Sequence, residues 1–330
     1  MLDVNIEEMS FALDVVAQAS ELVQRVQSEM VSSTLTKVDR SPVTIADFAS
    51  QALVAARLEA AFPYDSLVGE EDASALRTPA ERDRLEQITH FVSDYYPKAA
   101  PEKVATWIDR GNAAPSDRFW TLDPIDGTKG FLRGEQYAVA LALIIDGQVR
   151  IGVLGCPNLR DGYLPDIGGP GSLLGAQQGH GTWLKPLTGA PTFERLHVSQ
   201  RSAPQHVRLL RSYESGHTNT DQIDEFVQYV GIEADPVRMD SQAKYAVLAA
   251  GQGDLLLRLL SPSKPDYREK IWDQAAGSLI VQEAEGRITD LDGKALDFSK
   301  GRTLAANRGV TVSNSILHEI ALAGLRNIQA

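Results

Sequence analysis

The sequence predicts an α+β chain that passes into α/β, with sheet and helix stacked in layers. Three observations predict it. A long amphipathic stretch opens the chain, strand pairs joined by turn residues occupy residues 119–184, and strands alternate with helices from residue 207 onward. Residues 5–30 carry Leu13, Val16, Leu22, Val23, Val26 and Met30 at helical spacing and read as one helix. Ser41-Pro42-Val43-Thr44 leads into a second helix over residues 45–61, ended by Phe62-Pro63. Ser66-Leu67-Val68 reads as a short strand that delivers Gly69-Glu70-Glu71-Asp72 to a loop. Residues 80–94 read as helix, and residues 95–105 and 110–117 as loop. The apolar run 119–122 reads as a strand. Asp146-Gly147 between residues 137–145 and 148–154 is a strong hairpin signal. A further strand pair spans residues 175–184.

The segment 188–204 is polar and contains prolines, so the expected division is into residues 1–205 and 206–330. In the second part, 207–211 and 255–260 read as strands. Residues 221–229, 242–250, 273–284 and 313–328 read as helices, the third stopped by Gly286.

Composition limits the function. Apolar content of 43% and charged content of 23% describe an ordinary soluble globular chain, and 330 residues can bury a large core. The net charge of −12 argues against a broad nucleic-acid or anionic-membrane surface. An acidic protein that handles phosphates needs cations or a local basic patch to offset its own field. The single cysteine, Cys156, excludes an internal disulfide and sits in the apolar stretch 151–156, as a core residue would. Residues 1–9 carry Asp3, Glu7 and Glu8 and no basic residue, unlike a signal or transit peptide. No apolar run reaches about 18 residues, the length of a membrane span. The expected location is cytoplasmic.

The most informative stretch is Trp120-Thr121-Leu122-Asp123-Pro124-Ile125-Asp126-Gly127-Thr128. Two carboxylates stand where a strand ends, with Pro124 fixing the backbone between them. Gly127 permits a tight turn, and Thr128 can open a helix whose free N–H groups face an anion. Hard carboxylates beside an anion site suit a Mg²⁺-dependent phosphate enzyme. Glu70, Asp273 and Asp47 are three further acidic candidates. Singly, each has a plainer account: turn residues around Asp123 and Glu70, a helix cap at Asp273, a helix-start box from Thr44 to Asp47.

Together, Ser41-Pro42-Val43-Thr44-x-x-Asp47, Gly69-Glu70-Glu71, Trp120-x-x-Asp123-Pro124-Ile125-Asp126-Gly127-Thr128 and Trp272-Asp273-x-Ala275-Ala276-Gly277 resemble, in this order, the lithium-sensitive, Mg²⁺-dependent phosphomonoesterases. That superfamily includes inositol monophosphatase, inositol polyphosphate 1-phosphatase, fructose-1,6-bisphosphatase and the 3'(2'),5'-bisphosphate nucleotidases. The resemblance spans about residues 11–312. It is strongest to the nucleotidases, through the run from Asp126 to Gln136, Met239-Asp240-Ser241-Gln242-Ala243-Lys244-Tyr245, and Tyr267-Arg268-Glu269-Lys270-Ile271-Trp272-Asp273.

The resemblance implies an αβαβα sandwich of the inositol monophosphatase/fructose-1,6-bisphosphatase type. It implies hydrolysis of the 3'-phosphate of adenosine 3',5'-bisphosphate (PAP) to AMP, action on the sulfated form PAPS, a place in sulfur assimilation, and inhibition by Li⁺. Two or three Mg²⁺ ions would be held by Glu70, Asp123, Asp126, Asp273 and the carbonyl of Ile125. A pair of ions roughly 4 Å apart can clamp the attacking and leaving oxygens of an in-line displacement by water. Thr128 would orient that water and pass its proton towards Asp47, while N–H groups of Gly127 and Thr128 cradle the phosphate. His217, Ser241, Lys244 and Arg258 would contact the nucleotide. For Arg258 an internal salt bridge is the competing account, and for His217 a plain loop histidine. Tyr245 and Lys270 are expected to pack behind the site, and the glycines around His180 to serve turns. The expected partner is a small-molecule substrate, with no nucleic acid or membrane, on a monomer or weak homo-oligomer. Two alternatives remain: an inositol (poly)phosphate phosphatase and a catalytically silent PAP sensor.

Overall fold

The computed structural model describes residues 6–31, 41–189, 192–213 and 219–330. Helices α1 (Glu7–Met30) and α2 (Ser41–Ala61) open the fold, followed by β1 (Ser66–Gly69), α3 (Arg82–Ser93) and α4 (Pro101–Asp109). Glu7 and Glu8 stand in the first turn of α1, where the helix dipole favours acidic side chains. Pro42 is tolerated in the first turn of α2, whose N–H groups have no intrahelical partner, so this helix starts four residues before its expected onset. The assignment of residues 95–105 to a loop is corrected by α4. Pro101, which reads as a breaker, is its first helical residue, and Val104, Ala105, Trp107 and Ile108 bury one face.

Strands β2 (Arg118–Asp126), β3 (Ala138–Ile145) and β4 (Gln148–Cys156) form the centre of a sheet, with α5 (Thr128–Arg133) between the first two. Asp146 and Gly147 both have positive φ, 52° and 72°, as the β3–β4 hairpin requires. A small ribbon, β5 (Leu159–Arg160) with β6 (Leu164–Pro165), precedes β7 (Ser172–Gln177), β8 (Gly181–Pro186) and β9 (Glu194–Leu196). The seven-stranded sheet runs β1-β2-β3-β4-β7-β8-β9, parallel only at β1–β2.

The chain then gives β10 (Leu209–Arg211), α6 (Thr220–Val230), β11 (Val237–Arg238), α7 (Ala243–Ala249), β12 (Leu255–Arg258), α8 (Ala275–Glu283), β13 (Arg287–Thr289), β14 (Val310–Ser313) and α9 (His318–Asn327). A second sheet has the order β11-β10-β12-β14-β13. The helix expected from residue 313 begins only at His318. Val310, Thr311, Val312 and Ser313 are an antiparallel partner of β12, and a wholly buried four-residue strand has no alternation to betray it.

Alternation inside the strands assigns the layers. Val139, Leu141 and Leu143 of β3 face the cluster made with α1 and α2, whereas Ala138, Ala140 and Ala142 face α7 and α8. In β12, Leu256 joins that middle layer, while Leu255 and Leu257 pack with α6 and α9. The order is helix, sheet, helix, sheet, helix. Small residues let the middle layer approach: a Cβ on Gly152 would lie 2.8 Å from the Ala276 carbonyl oxygen. Gly286 likewise serves close packing, since a Cβ there would lie 2.5 Å from Val281 Cγ1; Glu285, with φ 72°, takes the left-handed position after α8. Cys156 is buried, as expected, and burial raises its thiol pKa.

His318 is fully buried between Thr289 Oγ1 and Ser313 Oγ, each 2.9 Å from a ring nitrogen. Thr289 donates its hydroxyl to the Asp290 carbonyl at 2.8 Å, so it accepts from Nε2–H, and the Ser313 hydroxyl is the partner of Nδ1. Burial disfavours the charged ring and pulls its pKa from 6.5 to about 4. The folded pKa lies below the unfolded one, so the unfolded state binds the proton first. Stability should therefore fall as pH drops from about 6.5 to about 4, through this group. Urea denaturation across that interval should show a shallower decline for His318→Gln than for the parent; parallel curves would remove His318 from the acid response.

Candidate active site

α2 is apolar nearly all round, being packed between α1, the α3–α4 pair and β2. Its buried polar residues Asp47, Ser50 and Gln51 share one helical face by their spacing of three and four. Ser50 Oγ donates to the Pro124 carbonyl at 3.3 Å. Gln51 Nε2 donates to the carbonyls of Glu71 and Ile108 at 2.6 and 2.7 Å, and Oε1 accepts from the Glu71 N–H at 3.1 Å. The amide lies so close that a Cβ on Gly69 would meet Gln51 Oε1 at 2.4 Å. The glycine before Glu70 is thus explained by packing.

In β2 the register with β3 shifts between Asp123 and Asp126. Asp123 opposes Ala140 and Asp126 opposes Ala138, so three residues of one strand span two of the other. Gly127 follows with φ 92°, and a Cβ there would meet Ser241 Cβ at 2.7 Å. Ser241 itself has φ 66° and accepts from the Ala243 N–H at 3.1 Å, just ahead of α7 rather than within it. The Gln242 N–H donates to Asp126 Oδ2 at 2.7 Å. The Gln242 side chain donates to the Trp272 carbonyl at 3.0 Å and accepts from Gly277 N–H at 3.1 Å. This one residue ties Asp126 to the segment that carries Asp273. Asp273 is not the cap of α8: Gln274 occupies that position.

These elements enclose a cavity of about 650 Å³. Asp47, Glu70, Asp123, Ile125, Asp126, Gly127, Thr128, Ser241, Lys244, Arg258 and Asp273 all line it. His217 lies outside the described residues. Lys270, expected to pack behind the site, also lines the cavity, whereas Tyr245 is buried beneath it and donates its hydroxyl to Gln274 Oε1. Glu71, Lys129, Asp240 and Tyr267, to which sequence reasoning gave no role, line it too.

The electrostatics are those of crowded carboxylates. Asp123 is raised well above the ordinary range by burial first, then by Glu70, Asp126, Asp273 and Asp47. Asp273 is raised by burial and Asp126, and Asp47 by burial, Glu71 and Glu70. Asp126 is raised by burial, against the pull of Lys244 and Arg258. Glu70, at the cavity mouth, is exposed as a residue but its carboxyl is crowded by the cavity wall, and its pKa rises through this partial loss of hydration and the Asp126 charge. Glu71 reaches about 7, through burial and its neighbours Glu70 and Asp72.

The cationic side of the cavity is separately braced. Lys244 Nζ donates to Ser212 Oγ at 3.1 Å, and burial draws its pKa down to about 8, with Asp126 resisting. Arg258 pairs with Glu269 at 2.8 Å, the internal salt bridge that was its competing account. That bridge does not exhaust it, because Arg258 Nε is buried without a partner and the side chain still faces the cavity. Asp240 accepts from Arg133 of α5 and, at 3.2 Å, from the Tyr213 N–H.

A hard cation fits this donor set. Asp123 Oδ1 is buried with no hydrogen-bond partner, and its neighbours are carboxylates that repel it. Among the described residues no three acidic, histidine or cysteine side chains close into a ready cage. Oxygen donors on an open wall suit Mg²⁺, which dehydrates reluctantly and keeps several waters.

The chain matches the model of the inositol monophosphatase family over residues 5–330. It is 41% identical to the 3'(2'),5'-bisphosphate nucleotidase of Emericella nidulans, covering 95% of this chain and 96% of that one. It is 42% identical to the 3'(2'),5'-bisphosphate nucleotidase of Oryza sativa, covering 94% and 91%. An IMPase of Thermotoga maritima superposes with a TM-score of 0.63 at 19% identity, covering 98% of each chain. A bacterial member of the inositol monophosphatase family from Bacteroides thetaiotaomicron gives 0.60 at 18% identity, covering 93% and 97%.

Replacing Gln51 by Ala strands the buried Ile108 carbonyl and the half-buried carbonyl and N–H of Glu71, beside Glu70. The expected loss is at least about 2 kcal/mol in urea denaturation. A loss under about 0.5 kcal/mol would mean that the loop does not depend on the amide.

Proposed function

The chain belongs to the inositol monophosphatase family, and we propose that it is a Mg²⁺-dependent phosphatase that removes the 3'-phosphate of PAP, yielding AMP and phosphate. One observation carries the proposal. Asp47, Glu70, Asp123, Asp126 and Asp273 line the same cavity as Lys244 and Arg258, together with Glu71, Asp240, Lys129 and Lys270. A substrate with one phosphate to be cleaved and a second to be held matches such a two-sided site. The nucleotidase names of the fungal and plant relatives support the same substrate.

Glu70, Asp123, Asp126, Asp273 and the Ile125 carbonyl would hold the metal, two or three ions in all. When bound, Mg²⁺ supplies positive charge to the phosphoryl oxygens and acidifies the attacking water. The protein does the rest. Thr128, exposed at the cavity mouth, orients the water, and buried Asp47 takes its proton. The first N–H groups of α5, around Gly127 and Thr128, have no intrahelical partner and face the phosphate. Lys244, Ser241 and Arg258, which line the cavity, hold the second phosphate and the nucleoside, with His217 as a further contact.

This division of labour assigns residues 1–205 most of the metal ligands, and residues 206–330 the nucleotide contacts with Asp273. PAPS is a second substrate on this reading, and the setting is cytoplasmic clearance of PAP in sulfur assimilation. No helix among the described residues is long and apolar enough to cross a membrane.

Phosphate release should be measured with Mg²⁺ from PAP, inositol 1-phosphate, inositol 1,4-bisphosphate and fructose 1,6-bisphosphate. PAP should be strongly preferred, with release abolished in Asp126→Ala and inhibited by millimolar Li⁺. Preference for an inositol phosphate would overturn the nucleotide assignment. PAP binding without release in any condition would leave a sensor.

Lys244→Met should lower kcat/KM for PAP by about 10- to 100-fold, the worth of a hydrogen bond to a charged group. Turnover of inositol 1-phosphate should change little. An equal loss on both substrates would remove Lys244 from substrate selection.

A further inference from the structure

The geometry points to Arg302 as a positioning residue that sets the separation of Glu70 and Asp273 and so tunes the affinity of the metal site. This inference rests on the metal reading of those two carboxylates, and not on the identity of the substrate.

Arg302 is joined to both sides of the site. Its backbone belongs to the Asp273 side: its carbonyl accepts from the Ile271 N–H at 3.2 Å, Thr303 bridges Lys270, and the Leu304 N–H donates to the Glu269 carbonyl at 2.9 Å. Its side chain belongs to the Glu70 side. Nη1 donates to the carbonyls of Gly111 and Ala113 at 3.0 and 3.2 Å, and Nη2 donates to the Gly69 carbonyl. Gly69 immediately precedes Glu70. The Gly111 carbonyl also accepts from the Gly69 N–H at 2.9 Å, so the fork grips a point to which that loop is already fastened.

The guanidinium also lies over the Trp272 ring, 4.9 Å from its centroid, and Trp272 immediately precedes Asp273. Among the described residues no carboxylate pairs with Arg302, and burial works against its charge. A half-buried cation without an acidic partner still loses hydration, and here three carbonyls and one ring compensate its buried part. Lysine cannot reproduce it: an ammonium has no planar fork and no flat face to stack. Glu70 comes from the end of β1 in the first sheet, and Asp273 from the segment entering α8 in the middle layer. Gln242 fastens Asp126 to the Trp272 carbonyl, but no contact described above ties the Glu70 loop to Asp273. Arg302 supplies that link.

The test is Mn²⁺ binding, followed by electron paramagnetic resonance on the full chain without substrate. Residues that orient metal ligands from behind typically change affinity by 10- to 100-fold when replaced. Arg302→Met should weaken Mn²⁺ binding at least about 10-fold, and Arg302→Lys by an intermediate amount. Leu255→Ala, which loosens packing in the outermost layer, should keep parental affinity while losing stability. If Arg302→Met does not fold, Arg302→Lys decides. Affinity within about two-fold of the parent in the folded variants would overturn the inference, whatever happens to stability or turnover. Failure of the parent to bind Mn²⁺ would overturn the metal reading and this inference with it, whereas failure on PAP alone would leave both standing.

Discussion

Carboxylates that repel one another inside a desolvated cavity are the constraint around which this molecule is arranged. Asp123 alone feels Glu70, Asp126, Asp273 and Asp47, and burial compounds the repulsion. Left to themselves, such groups would move apart or take up protons. The surrounding structure prevents the first. Gln51 pins the Glu71 backbone, a strand irregularity places Asp123 and Asp126, and Gln242 holds Asp126 against the Asp273 segment. Each restraint is a neutral amide or a backbone group. A neutral donor steadies a carboxylate, or the chain beside it, without cancelling the charge on which cation binding depends.

Much of this was legible in the sequence because chemistry-bearing residues obey tight local rules. Asp123-Pro124-Ile125-Asp126-Gly127 announces a strand end and a left-handed residue: Gly127 takes that conformation, but the strand runs on through an irregularity to Asp126, four residues past its expected end. The hairpin at Asp146-Gly147 was equally explicit. Other features depend on partners remote in the chain. The strand Val310–Ser313 is defined by its pairing with residues 255–258, and nothing in its own four residues separates it from the start of a helix. Pro101 could equally end a loop or begin a helix, and the burial of Trp107 and Ile108 decides. Arg258 was legible as a buried cation in need of an anion, but Glu269 as that anion was not, since eleven residues and an intervening loop separate them.

The residues that sequence reasoning passed over are instructive for the same reason. Gln51 is one of three buried polar side chains, with Asp47 and Ser50, in a mostly apolar helix, an inconsistency visible in the letters alone. Its meaning appears only when Gly69 and Gly111 are found pressed against it, with a Cβ on either falling within 2.4 Å of the amide. Glycine and glutamine explain each other there, as Gly127 and Ser241 do across the cavity.

The distance in sequence between the cavity's parts has a kinetic corollary. Asp47, Glu70, Asp123 and Asp126 come from the early chain, while Lys244, Arg258 and Asp273 arrive with the later one. Contacts of such range form only after long loops have closed, and their entropy makes them slow. The cavity's full acidic and basic lining therefore exists only once both parts of the chain are folded, so its binding capacity is acquired as late as its longest-range contacts.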